Sequence, residues 1–282
     1  MSDKERIPNA LTIAGIDPSG GAGIYADLKA FSALRAYGAG VVAALTAQNT
    51  QGVAGVFPVP PEFVRQQIDV VFADLRIDAA KIGMLGTAPV TRAVADALAG
   101  PISSRRLAHC VVDPVMVAKS GDSLLARDAI AMLVEAVLPL ATMLTPNLPE
   151  AGVLLRQAAP DTLRDMYRAA ERLRRLLPDS GHRWVVLKGG HLPGDPIDLL
   201  HDGDAMIELP AARIATRNTH GTGCTLAAAI AALLPQRPDV PHAVRDARKY
   251  LLGAIAAAER LSVGHGHGPV HHFFHWWHHP SG

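Results

Sequence analysis

The sequence predicts an α/β protein in which a largely parallel sheet is sandwiched between helices, and three observations carry that prediction. Short apolar runs of Val, Ile, Leu and Ala recur along the 282 residues. Most are followed by a turn marked with Gly or Pro and then by a stretch of helical periodicity, the alternation expected of βαβ units. Several runs show no polar alternation, as strands covered on both faces require.

In chain order, the run ALTIAG predicts a strand at 10–15, followed by a helix over 25–37. GVVAALT predicts a strand at 40–46, and the next helix, 61–74, opens on Pro61, a residue suited to a first helical turn. The short runs AAKI and HCVV give strands at 79–82 and 109–112, followed by helices at 88–98 and 127–137. A strand at 142–145 precedes helices at 149–155 and 162–177. The run WVVL predicts a strand at 184–187, and the polar segment 198–208, with Gly203 at its turn, reads as a hairpin at the sheet edge. A last strand is expected at 214–216, before helices at 225–234 and 242–261. No repeat and no linker longer than a loop interrupts the pattern, so one domain is expected over 1–282.

Composition narrows the class. Lys and Arg number 27 against 26 Asp and Glu, so charge gives no reason to expect a nucleic-acid partner. The chain is 49% hydrophobic, which excludes disorder. Only Cys110 and Cys224 are present, which excludes a disulfide scaffold. The most apolar run, 224–234, falls well short of the roughly 20 residues of a spanning helix and reads as a buried core helix. Residues 1–7 carry Asp3, Lys4, Glu5 and Arg6 with no apolar signal core behind them. A cytoplasmic protein with no membrane partner is therefore expected.

In open parallel sheets ligands bind beyond the carboxyl ends of the strands, and here those ends are rich in Gly and polar residues. Asn218-Thr219-His220-Gly221-Thr222-Gly223-Cys224 opens the most apolar helix. Two glycines let a ligand approach the backbone, and unpaired first-turn N–H groups with the helix dipole make an anion site. Lys188-Gly189-Gly190 ends the preceding strand and strengthens the phosphate reading. Cys224, at a helix N-terminus, is expected to have a depressed pKa and to take a proton from an alcohol beside a bound phosphoryl group, the alternative being an inert buried thiol. Cys110 sits in an apolar run and reads as core.

Two nucleotide motifs fail. Gly15 to Ala22 outlines Gly-x4-Gly, but Gly21 and Ala22 stand where Lys and Ser or Thr are needed. Gly21-Ala22-Gly23-Ile24-Tyr25-Ala26 fits a loose dinucleotide pattern, yet its loop is too long and no ribose-binding acid follows the next strand. Asp113 and Glu150 lie just past buried strands near Lys119 and Asn147, a setting that suits Mg²⁺ with phosphate and water, or simply helix capping. The His-rich tail, 271–282, offers no carboxylate or Cys partner and is expected to pack on the surface through its two Trp residues.

Together the loops resemble bacterial hydroxymethylpyrimidine/phosphomethylpyrimidine kinases of the ribokinase-like superfamily. The resemblance runs from Ala14-Gly15-Ile16-Asp17-Pro18-Ser19-Gly20-Gly21-Ala22-Gly23, Asp27-Leu28-Lys29 and Thr46-Ala47-Gln48-Asn49-Thr50 through Lys81-Ile82-Gly83-Met84-Leu85. It continues with Asp113-Pro114-Val115-Met116, Lys119-Ser120-Gly121-Asp122, Thr145-Pro146-Asn147-Leu148-Pro149-Glu150 and Lys188-Gly189-Gly190-His191. Asn218 to Thr225 and Gly268-Pro269-Val270-His271-His272 complete a match over about 10–277.

The resemblance implies a three-layer αβα ribokinase-like fold with a mostly parallel sheet, ATP as phosphoryl donor, and Mg²⁺. It implies phosphorylation of 4-amino-5-hydroxymethyl-2-methylpyrimidine and then of its monophosphate, for thiamine biosynthesis. By the same likeness Gln48 reads the pyrimidine edge, helped by Asp27, Gly15 and Val115, with Met84 against the ring. Gly221, Thr222, Gly223 and Cys224 form the anion hole, Cys224 is the base, and Lys188 contacts phosphate. Glu150 and Asp113 hold Mg²⁺ and position water. Much of the superfamily has Asp where Cys224 stands. A homo-oligomer, a dimer, is expected. The alternatives are a pyridoxal kinase of the same superfamily, which would not act on the monophosphate, and a catalytically silent regulator on the kinase fold.

Overall fold

The structure is a computed structural model that describes residues 6–116 and 127–277. Its strands are β1 (Asn9–Ile16), β2 (Tyr37–Gln48), β3 (Val53–Pro58), β4 (Ala79–Ile82), β5 (His109–Val112), β6 (Met143–Leu144), β7 (Trp184–Leu187), β8 (Ile197–His201) and β9 (Met206–Pro210). They form one sheet in the order β3-β2-β1-β4-β5-β6-β7-β8-β9. The central strands from β2 to β7 are parallel, and β3, β8 and β9 add antiparallel edges.

Period-two alternation builds the three layers. Leu11, Ile13, Ala80, Ile82 and Val112 face a core closed by α2 (Pro61–Asp74), α3 (Ala88–Ser103), α5 (Leu148–Leu154) and α6 (Leu163–Arg174). Their neighbours Ala10, Ala79 and Val111 face the opposite core, closed by α1 (Gly23–Ala33), α7 (Thr222–Leu233) and α8 (Val240–Ala256). A short α4 (Arg127–Met132) continues into a wider helical turn over Leu133–Val137. Every residue of α7 from Thr225 to Leu233 is buried, as an all-apolar helix must be.

Three sequence expectations are corrected. Residues 214–216 form no strand, because the hairpin of β8 and β9 already takes that sheet edge and Ala215 is exposed. The second strand is longer than 40–46, and it turns at Asn49–Gly52 into an unforeseen partner, β3, whose residues are mostly exposed. The helix predicted at 25–37 runs from Gly23 to Ala33, where Arg35, in a left-handed conformation (φ 61°), turns the chain into β2. The polar hairpin at 198–208 is found as β8 and β9, and Cys110 is buried in β5.

The C-terminal segment straps the site-bearing face. His220 donates its N–H to Gly268 O at 3.0 Å, and His267 donates to Thr50 O at 2.9 Å. Phe274 packs where a side chain on Gly253 would stand, whereas Trp276 and Trp277 remain more than half exposed. Lys119 to Asp122, His278 and His279 lie outside the described residues. No helix among those described is long and apolar enough to cross a membrane.

Candidate active site

The strand ends enclose a cavity of about 430 Å³, bounded by the Gly-rich first loop, Gln48, Met84, Val115 and the start of α7. A second cavity of about 350 Å³ continues past α7 towards α8, lined by Leu226, Leu251, Leu252 and Ile255. The two share Asn147, Lys188, His191, Thr219, Thr222 and Gly223. A group passing between the two cavities would cross at these shared residues.

Local chemistry shapes the junction. Gly221 caps α7 with φ 77°, and a Cβ there would stand 1.8 Å from Gly21 O. Only glycine fits, for conformation and for space. The first helical bond is Thr225 N–H to Gly221 O at 2.8 Å. The Gly223 and Cys224 amides, one step earlier in the first turn, have no intrahelical acceptor and border the cavity. Lys188 leaves β7 and pairs with Asp113 Oδ1 at 3.0 Å and Glu150 Oε2 at 3.9 Å. A Cβ on Gly223 would lie 3.3 Å from the Lys188 ammonium. Burial pulls the Lys188 pKa down, but the carboxylates of Asp113 and Glu150 hold it above the ordinary lysine range.

Glu150 closes a capping box on α5: it accepts from Asn147 N–H at 2.7 Å while Asn147 Oδ1 accepts from Glu150 N–H at 2.8 Å. Burial pushes its carboxyl up to about 7, the Asp113 charge adding to the rise and Lys188 opposing it. Asp113 is 1% exposed and uses Oδ1 for Thr145 and Lys188, leaving Oδ2 buried with no partner. An orphaned carboxylate oxygen close to Gly223 suits a hard divalent cation completed by phosphate and water. No cluster of three or more His, Cys, Asp or Glu suited to a metal occurs among the described residues.

At the other end of the cavity, Gly15 is held by its N–H to Met84 O at 3.0 Å, and a Cβ on it would collide with the Met84 methyl at 2.6 Å. Gln48 accepts from Thr46 Oγ1 at 3.3 Å and borders the cavity. The Val115 N–H is already committed to Asp113 O at 2.8 Å. The first loop winds around Asp17, whose carboxylate accepts from Ser19 N–H, Ser19 Oγ and Ala22 N–H and meets His220 Nε2 at 2.7 Å. Burial raises the Asp17 pKa, but the His220 and Ser19 bonds bring it below the ordinary value. This loop is thereby tied to the start of α7.

The structure corrects the electrostatics expected of Cys224 and places Asp27 beneath the cavity. Burial pushes the Cys224 thiol up to about 11, with Asp27 and Asp113 adding to the rise; the Lys81 charge and a Gly23 backbone bond oppose it. Desolvation outweighs the helix N-terminus. Asp27 does not border the cavity but is fully buried, accepting from Thr12 Oγ1 at 2.6 Å and from Lys81 Nζ at 2.8 and 3.1 Å. Lys81 does border the cavity. The sequence reading assigned no role to Lys81 or to the Asp17–His220 pair. The available signal was a lysine inside the otherwise apolar strand Ala79-Ala80-Lys81-Ile82.

Comparison with known proteins finds similarity over nearly the whole chain. The phosphomethylpyrimidine kinase family model matches residues 17–271. A hydroxymethylpyrimidine/phosphomethylpyrimidine kinase of Rhizobium meliloti is 52% identical over 270 residues, 95% of this chain and 98% of the relative. One from Escherichia coli is 50% identical over the same shares. Among solved structures, a phosphomethylpyrimidine kinase from Clostridium difficile aligns with TM-score 0.76 and 37% identity, over 89% of this chain and 100% of that one. An ADP complex of Bacillus subtilis pyridoxal kinase aligns with TM-score 0.84 and 34% identity, over 95% and 98%. The three-layer α/β fold and the family model lead to one conclusion: the chain belongs to the phosphomethylpyrimidine kinase family.

Proposed function

We propose that this enzyme uses ATP to phosphorylate 4-amino-5-hydroxymethyl-2-methylpyrimidine and then its monophosphate, supplying the pyrimidine half of thiamine, and that the whole chain forms the one kinase domain. The observation that carries the reading is the meeting of two cavities at Lys188 and the Gly221–Cys224 turn. The apolar cavity against α8 suits the base of ATP. The cavity with Gln48, Met84, Gly15 and Val115 suits a small planar acceptor, whose ring nitrogen and amine an amide side chain can match. Asp113 and Glu150 would hold Mg²⁺, which would neutralise charge on the transferring phosphoryl group. The Gly223 and Cys224 amides and Lys188 would orient and stabilise that group, and Cys224 would accept the hydroxyl proton late in transfer. Asp27 acts from below the cavity, through Lys81.

A coupled assay of ADP release with the pyrimidine alcohol, its monophosphate and pyridoxal tests this. Turnover of both pyrimidines is the expected result. Turnover of pyridoxal alone would favour the second reading, which rests on the fold match to the pyridoxal kinase of Bacillus subtilis. No ATP turnover with any acceptor would leave a silent regulator. Both cysteines are free, and we place the enzyme in the cytoplasm, where thiols stay reduced. Dimerisation would cover the edge hairpin, where Leu45, Val56 and Phe57 are exposed; sedimentation velocity reads it directly.

A further inference from the structure

We propose that Lys81 is a catalytic residue, donating a hydrogen bond from its ammonium into the acceptor cavity, onto the oxygen that attacks the phosphoryl group. The inference rests on the kinase reading above and adds a residue to it.

The placement follows from the sheet. Lys81 shares its face of β4 with Ala79, which packs in the core closed by α1 and α7. Its side chain therefore runs between Asp27 of α1 and the first turn of α7, where Cys224 lies. The ammonium is fully buried. Asp27 takes N–H from it with both carboxylate oxygens, and Nζ has no other partner among the described residues. A lysine ammonium carries three N–H donors, so at least one is uncommitted. The space above it is kept open by Gly83, where a Cβ would stand 2.8 Å from Nζ.

A structural role accounts poorly for this arrangement. A buried ion pair is weak evidence for stability, because apolar groups of similar volume often do as well. Here the pair lies against a cavity, and one donor is left over. Burial lowers the Lys81 pKa, but the Asp27 carboxylate reverses this and keeps the group protonated. The same charge acts favourably on the Cys224 thiolate. During transfer the acceptor oxygen forms its bond to the γ-phosphorus, the bond from that phosphorus to the bridging oxygen breaks, and ADP leaves. The hydroxyl proton passes to Cys224 in its thiolate form, the thiol having first lost its own proton to water, and Lys81 keeps its own proton throughout. Its hydrogen bond strengthens as negative charge develops on the attacking oxygen, which is how a preorganised donor accelerates a reaction.

Lys81→Met alone would strand the Asp27 charge, so the test uses Lys81→Met with Asp27→Asn, which empties the core of both charges. If Lys81 only balances Asp27, the neutral pair restores turnover. If it donates to the reacting oxygen, the folded double variant keeps both Michaelis constants within a few-fold while kcat falls about 10²–10³-fold, the usual loss for one such donor. A kcat within about threefold of wild type overturns the proposal. A wild-type enzyme inactive on the alcohol would instead overturn the kinase reading. Should the double variant not fold, ¹⁵N-lysine labelling of the wild type decides. The Lys81 Nζ resonance should move on adding the alcohol and stay put with the analogue bearing methyl in place of hydroxymethyl. An equal response to both sinks the idea.

Discussion

Cys224 offers the sharpest test, because its surroundings set its chemistry against ordinary expectation. A thiol raised to about 11 is only about 10⁻³ ionised at pH 8, against about a quarter for a free cysteine with pKa near 8.5. Iodoacetamide should therefore alkylate Cys224 of the free enzyme about two hundred times more slowly than a free cysteine at that pH. The rate should climb tenfold per pH unit from 7 to 10 without levelling off. Cys110, 1% exposed and raised by burial to about 12, should stay unmodified. Quenched samples resolved by peptide mass spectrometry give both rates at once. A plateau below pH 9 would refute the argument that desolvation beats the helix dipole here. Only the thiolate fraction can accept a proton, so kcat should rise with pH towards pH 10, and Cys224→Ser should remove that rise and lower kcat, by at most the roughly 10²–10⁴ typical of a general base, with little change in ATP affinity. A Ser variant within a few-fold of wild type would remove Cys224 as the base.

Gln48→Ala should raise the Michaelis constant for the pyrimidine about tenfold or more, from about 1–3 kcal/mol of unpaired ligand groups, and leave that for ATP unchanged; steady-state kinetics in both substrates check it. Lys188→Ala should slow turnover sharply in a folded protein, since it removes the cation beside Gly223, and wild-type kcat would refute the role. Gly221→Ala combines a left-handed φ with a 1.8 Å collision. It should lower the melting temperature and activity together, whereas Gly100→Ala, exposed on α3 with nothing within 4 Å of its Cβ, should leave both near wild type.

Some of this was legible in the sequence for a physical reason. Strands buried on both faces are continuous apolar runs, and Ala79–Ile82, His109–Val112 and Trp184–Leu187 stand out without tertiary information. The ligand-facing loops were legible because Gly and polar residues at strand ends have little other use. Edge elements were not. β3 is exposed over most of its length, so no burial pattern marks it, and its existence depends on a turn that pairs it with β2. Residues 214–216 have strand composition but arrive after the edge is filled. Within the site, the properties that depend on burial were not legible. A helix N-terminus is visible in sequence, but the desolvation of Cys224 and the ion pair beneath it are properties of packing. Asp27 was expected beside the substrate through the family resemblance, and only the fold shows that Lys81, not Asp27, borders the cavity.

The charges around the junction carry a consequence for how ATP enters. Lys81 and Asp27 form a buried pair that leaves little net charge, so the triphosphate meets Lys188 together with Asp113 and Glu150. Burial and the Asp113 charge already push the Glu150 carboxyl up to about 7, which means these two acids repel each other before any phosphate arrives. Lys188 offsets part of that, since it contacts Asp113 at 3.0 Å and Glu150 at 3.9 Å. Excess chelator should therefore weaken ATP binding at least tenfold, and calorimetry with and without Mg²⁺ measures it. Asp113→Asn, which removes one repelling charge and the orphaned oxygen's charge with it, should partly restore metal-free ATP binding while depressing metal-supported turnover. Equal ATP affinity with and without the cation would mean that Lys188 and the α7 amides suffice, and that the buried Asp113 oxygen serves some purpose other than holding a metal.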